Sequence, residues 1–127
     1  MEKKKAGTIL WHDLTVPNAT AVSDFYQQVI GWEKTELSLG DYSDYIMQTK
    51  EDPDATTVGI CHAKGPNAHI PPHWLAHVAV DNLDQSLERT QALGGKVMGD
   101  KRKMEEHGWY CLIQDPAGAY LMLWEQV

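Results

Sequence analysis

The sequence predicts an α+β fold of two βαβββ modules. Three observations carry the prediction: a half-length repeat, the same succession of strand-like and helix-like stretches in both halves, and glycine turn signals at matching places. Leu14-Thr-Val-Pro-Asn18, a helical stretch through Phe25 and Val29, and Gly31 return as Val78-Ala-Val-Asp-Asn82, a helical stretch through Leu87 and Leu93, and Gly95. At an offset of 64 residues, the distance from Leu14 to Val78, Val16 meets Val80, Asn18 meets Asn82, Gln27 meets Gln91 and Gly31 meets Gly95. A chain of 127 residues is one compact domain, and neither half is large enough to bury a good core alone. Two similar modules packed together leave a concavity at their join, where small molecules bind.

Residues 8–16 are rich in β-formers and end at Pro17, which stops a strand. Asn18 offers a helix N-cap, Val22, Phe25, Tyr26 and Val29 fall at helical spacing, and Gly31 closes the helix. Residues 32–39, 42–49 and 58–63 read as three short strands, separated by Gly40-Asp41 and by the polar turn 51–54. The first module is thus 8–63. A linker rich in Pro and Gly, 64–73, follows. The second module, 74–125, opens with a strand over 74–80. Asn82 with Gln85 resembles a capping box for a helix carrying Leu83, Leu87 and Leu93, which ends at Gly94-Gly95. Strands over 96–104, 109–114 and 120–124 complete it, the last two joined by Asp115-Pro-Ala-Gly118, a type I turn pattern.

Composition excludes some partners. Eighteen acidic against eleven basic residues give a formal charge of −7, which argues against nucleic acid, because a phosphate backbone needs a basic face. The Lys3-Lys4-Lys5 cluster sits on a terminus expected to fray. No apolar run has the length of a membrane span, and His12-Asp13 interrupts any secretory signal, so a cytoplasmic protein is expected. Cys61 and Cys111 lack metal or redox spacing and read as reduced thiols packed within strands.

Taken together, Trp11-x-Asp13-Leu14, Phe25-Tyr26 before Gly31-Trp32, Leu93-Gly94-Gly95 and Asp115-Pro116-x-Gly118 on a duplicated βαβββ frame resemble the glyoxalase/bleomycin resistance/extradiol dioxygenase superfamily, the vicinal oxygen chelate proteins. The resemblance covers residues 8–125. It implies a curved mixed sheet forming a cup, helices outside, and a homodimer. It fixes no reaction, since the fold hosts lyases, dioxygenases, epimerases and metal-free drug-binding proteins. Metal-dependent relatives hold a divalent cation with His, Gln or Glu at set places on the first and last strand of each module. Counting on the family pattern, those places are Trp11, Leu75 and Met122 here, and a fourth within 58–62 that the pattern does not align to one residue. Trp, Leu and Met supply none of the oxygen or nitrogen donors such cations prefer. The resemblance with these substitutions implies no metal and no cofactor, and either a cup lined for an organic ligand or a degenerate site filled with ordinary core.

Strand parity adds Asp13 two residues beyond Trp11, and His77 two beyond Leu75, as inward-facing polar groups at matching positions of the two modules. They are candidates for a catalytic acid/base pair, for a polar anchor, or for a hydrogen-bonded pair that satisfies two side chains at the junction. Tyr120 and Trp124 share the parity of Met122 and join the candidate lining. His62, His69, His73 and His77 cluster in sequence, but Pro71-Pro72 forbids the helix that would align them, so the linker histidines are read as solvated. The function expected is binding of a small organic molecule without a divalent metal. The alternatives are a metal-dependent lyase, isomerase or dioxygenase of the same superfamily, and a dimerising module for a protein partner.

Overall fold

A computed structural model describes residues 3–52 and 57–127. Both modules have the expected βαβββ order. The first comprises β1 (Ile9–Val16), α1 (Ala19–Ile30), β2 (Glu33–Ser38), β3 (Ser43–Gln48) and β4 (Thr57–His62). The second comprises β5 (Trp74–Ala79), α2 (Leu83–Ala92), β6 (Lys96–Met104), β7 (Gly108–Gln114) and β8 (Tyr120–Gln126). A single 3₁₀ turn, Gly65–Asn67, lies in the linker. Pro53 and Asp54 of the polar turn expected at 51–54 lie outside the described residues. Among the described residues no helix is long and apolar enough to cross a membrane.

Two compact units emerge, one of residues 12–74 and one of residues 75–127 with the segment through Trp11. The repeat seen in sequence is a repeat of topology. In the 12–74 unit the strand order is β2-β3-β4-β1, with β1 parallel to β4 and the other pairs antiparallel. In the 75–127 unit the order is β5-β8-β7-β6, with β5 parallel to β8 and the rest antiparallel. The N-terminal segment is held to this unit by Gly7 N donating to Ala79 O (2.8 Å) and Ala79 N donating to Thr8 O (2.9 Å).

Each helix packs on one face of its own sheet. Under α1 lie Leu14, Val16, Ala19, Tyr45, Met47 and Ile60, with Val22 and Tyr26 against them. Phe25 and Val29, which fall at helical spacing with Val22 and Tyr26, are 58% and 63% exposed. The buried stripe runs through Ala19 and Ser23, and a 3.6-residue period turns 25 and 29 outward from it. Gly31 ends α1 in the left-handed conformation (φ 88°), as its sequence position suggests. The expected Asn18 cap makes no side-chain hydrogen bond, whereas Asn82 Oδ1 accepts from Gln85 N (3.0 Å) at the start of α2. Under α2, Leu83, Cys111 and Leu123 form the core, with Leu87, Trp109, Ile113 and Leu121 packed around them. Leu93, expected within this helix, lies just beyond its last residue, Ala92, and is 76% exposed. The Asp115–Gly118 turn forms as expected: Gly118 N donates to Asp115 O, and Asp115 Oδ1 accepts from Ala117 N and Ala119 N.

Candidate functional site

With Leu121 and Leu123 committed to the α2 side, alternation along β8 sends Tyr120, Met122 and Trp124 to the opposite face. Parallel pairing of His77 with Met122 and of Ala79 with Trp124 puts those β5 residues on that same face. Leu75, Met122 and Trp124 are each 2% exposed there, and His77 is also buried. They form a floor beneath the half-buried Trp11, Tyr110 and Tyr120.

The rings on this face make a continuous row of contacts, two of them stacked and the Trp11–Trp124 one tilted at 59°. Trp11 stacks on the His77 imidazole, with centroids 5.1 Å apart and planes 29° from parallel, and meets Trp124 at 5.2 Å. Trp124 in turn stacks on Tyr110 at 4.6 Å and 23°. One bond fixes the His77 tautomer. Trp124 Nε1 lies 2.7 Å from His77 Nδ1, and an indole N–H only donates, so Nδ1 accepts and a neutral imidazole carries its proton on Nε2. Trp11, named by the family pattern, and His77 and Trp124, named by strand parity, therefore sit together. Tyr110 joins them through the pairing of β7 with β8.

The other candidate, Asp13, lies in the 12–74 unit, opposite Gly59 in the parallel pairing of β1 with β4. This register locates the fourth family position. Met122 is the β8 partner of His77, and Asp13 is the counterpart of His77 in the first module, so Gly59 is the counterpart of Met122. A Cβ at residue 59 would run into the Asp13 carboxylate, which lies over the glycine. The four positions at which the family resemblance implies metal ligands thus hold Trp11, Gly59, Leu75 and Met122. This set does not fit Mg²⁺, Mn²⁺ or Fe²⁺: the indole N–H is a donor of hydrogen, and the remaining three offer no oxygen or nitrogen. Among the described residues no group of three or more His, Cys, Asp and Glu is placed to hold a metal ion.

Cys61 follows Gly59 on the same face of β4. Burial pushes its thiol pKa far up, and the charges of Asp13 and Asp44 push it the same way. The Cys111 pKa is also raised, chiefly by burial. Neither is a nucleophile near neutral pH, and both are free thiols. Because the folded state holds thiol protons that the unfolded chain releases, stability from this source is complete below the ordinary thiol range and declines as pH rises past about 8.5. Urea midpoints between pH 7.5 and 10 should fall less steeply for Cys61→Ser than for the unaltered protein. Identical slopes would remove Cys61 from this account.

His62, at the end of β4, bonds the start of β3, its Nδ1 donating to Ser43 O (2.7 Å) and its backbone N donating to Asp44 Oδ1 (2.8 Å). It serves structure, and His73 sits in the linker turn with its backbone N donating to Pro71 O.

Comparison with known proteins bears on what this arrangement does. A family model described as a glyoxalase-like domain matches residues 10–123. The protein named "Putative glyoxylase CFP32" of Mycobacterium tuberculosis is 26% identical over 115 residues, covering 91% of this chain and 42% of that protein. The anthracycline biosynthesis protein DnrV of Streptomyces peucetius is 26% identical over 136 residues, covering 99% of this chain and 50% of that protein. This chain therefore spans about half the length of the curated relatives it matches. Among solved structures, the methylmalonyl-CoA epimerase of Mycobacterium tuberculosis superposes with a TM-score of 0.59 at 14% identity, covering 100% of this chain and 93% of that one. A glyoxalase/bleomycin resistance protein/dioxygenase superfamily member from Vibrio splendidus superposes with a TM-score of 0.60 at 13% identity, covering 94% and 100%. At such identities the likeness is one of fold.

Proposed function

Since the chain belongs to the glyoxalase-like domain family, over residues 10–123, we propose that it binds a small, flat organic molecule without the divalent metal of its chelating relatives. The observation that carries this reading is the stack of Trp11, His77, Trp124 and Tyr110 on the face where the family would hold its metal. Apolar side chains at Leu75 and Met122 close the floor, so contact with a ligand falls to the accessible parts of Trp11, Tyr110 and Tyr120. Ring faces of this kind favour offset stacking on another π-system. The name of the Streptomyces relative links that protein to anthracycline biosynthesis, hence to polycyclic aromatic chemistry, which supports a flat aromatic ligand here.

The test uses protein purified without a metal-affinity tag and N-phenyl-1-naphthylamine, an uncharged aromatic probe whose emission rises on leaving water. Saturable binding with a Kd on the order of 1–100 µM, unchanged by a chelator, is expected. Absence of saturable binding, or one equivalent of a divalent metal on which binding depends, overturns the proposal. The second of those outcomes establishes the metal-dependent alternative.

A further inference from the structure

The sheet of the 75–127 unit carries its stack outward to a charge. Ala79 pairs with Trp124, Trp124 with Tyr110, and Tyr110 with Arg102, so a single cross-strand row runs over β5, β8, β7 and β6 on the face away from α2. Directly paired residues of neighbouring strands point to the same side. Arg102 is the outermost member, on the edge strand.

Its place depends on an irregularity in β6. Lys96 pairs with Gln114 and Met98 with Leu112, a register that would set Asp100 opposite Tyr110. The pairing shifts by two residues between Met98 and Arg102, around Gly99 with its positive φ of 87°, and Arg102 takes that place instead. The irregularity exchanges a carboxylate for a guanidinium at the end of an aromatic row. Bulges are frequent beside binding sites, where they re-aim a side chain.

The neighbouring cations are engaged elsewhere. Lys103 pairs with Trp109, which belongs to the α2 side, and the Lys101 and Lys103 ammonium groups lie 4.9 Å and 6.0 Å from its ring centroid. Lys101 also bonds Asp84 at 2.8 Å. Arg102 forms no ion pair among the described residues, and its charge acts on the Tyr110 phenol, countering part of the rise in pKa that burial causes. The chain's net charge of −7 does not decide local affinity, since charges more than about 8 Å away are largely screened at physiological ionic strength.

We propose that Arg102 is an anion subsite at the end of the aromatic row, selecting a ligand whose flat ring system stacks on Tyr110 and which carries a carboxylate, sulfonate or phosphate. This rests on the aromatic-ligand reading above and adds the sign of the ligand's charge. Guanidinium suits the role because it holds its charge at any working pH and presents a planar fork of donors to an oxyanion.

Two fluorescent probes separate the readings: 8-anilinonaphthalene-1-sulfonate and N-phenyl-1-naphthylamine, which share a ring system and differ by one sulfonate. The unaltered protein should bind the sulfonate about 10-fold more tightly, as one charge-assisted contact allows, and added salt should erode that preference. Arg102→Gln should bind both probes with the affinity of the uncharged one. Arg102→Lys should keep part of the preference. Arg89 lies at a groove of about 310 Å³ beneath α2, so Arg89→Gln serves as a control and should change nothing. Equal binding of the two probes by the unaltered protein, or a preference that survives Arg102→Gln or is lost in Arg89→Gln, overturns the anion subsite while leaving the aromatic ligand standing. Failure of both probes to bind overturns both readings.

Discussion

Trp124→Ala is expected to lower the free energy of unfolding by about 4 kcal/mol and to abolish binding of N-phenyl-1-naphthylamine. The indole is 2% exposed, stacks on Tyr110 and meets Trp11, so truncation opens a cavity at the centre of the row. It also leaves the buried Nδ1 of His77 without the indole donor, a loss of about 1–3 kcal/mol that is already partly included in the first figure. Trp124→Phe is the milder change. It keeps a ring in the stack but removes the donor together with part of the indole volume, so a loss of about 2–3 kcal/mol, smaller than that of alanine, is expected, with probe binding largely retained. Urea titration followed by far-UV circular dichroism gives both values. An alanine variant within about 1 kcal/mol of the unaltered protein would mean that the stack is not the keystone of its face.

Gly108→Ala is expected to cost about 3 kcal/mol although it adds one methyl group. Gly108 opens β7 opposite Gln126 at a φ of 129°, a conformation that side-chain-bearing residues rarely adopt. A Cβ there would run into the Glu125 carbonyl oxygen and come within 2.9 Å of Gln126 Cα. These are backbone atoms, so no rotamer change relieves the clash and the end of the β7–β8 pairing must open. Gln126 Oε1 accepts from Lys4 N at 2.8 Å, so the N-terminal segment should loosen with it. Hydrogen exchange at residues 4–8 and 124–127 should quicken in the variant. Unchanged exchange with an unchanged melting temperature would mean that β7 accommodates the methyl by a local shift.

Much of this architecture was legible because it is written twice. The 64-residue offset predicted two modules of the same order, and β1 pairs in parallel with β4 as β5 does with β8, although the offset between Gly59 and Met122 is 63. Family counting named Trp11, and alternation along the strands named His77 and Trp124; the ring contacts between them are read from the structure. Register between strands is a different matter, because it depends on turn length and on irregularities that periodicity does not encode. Tyr110 was visible only as one of many aromatics until its pairing with Trp124 was known. Arg102 was hidden by the shift in β6, since regular counting selects Asp100. Gly59 escaped alignment because a glycine leaves no chemical trace of the role its strand position once had open. The exposed Phe25 and Val29 show the limit of helical spacing as a guide: it finds an apolar helix without saying which part of a broad apolar arc meets the core.

The fit of Asp13 over Gly59 constrains the evolutionary paths open to this sequence. A glutamate placed at 59 would meet the carboxylate at 13, the end of a rotatable side chain, so Asp13 must turn away or be replaced before position 59 can carry a donor. Leu75 and Met122 would then each need a polar replacement in a closed interior, unfavourable until all the donors and the cation were present together. A single polar replacement at Leu75 or Met122 should therefore lower stability with no cation to offset it.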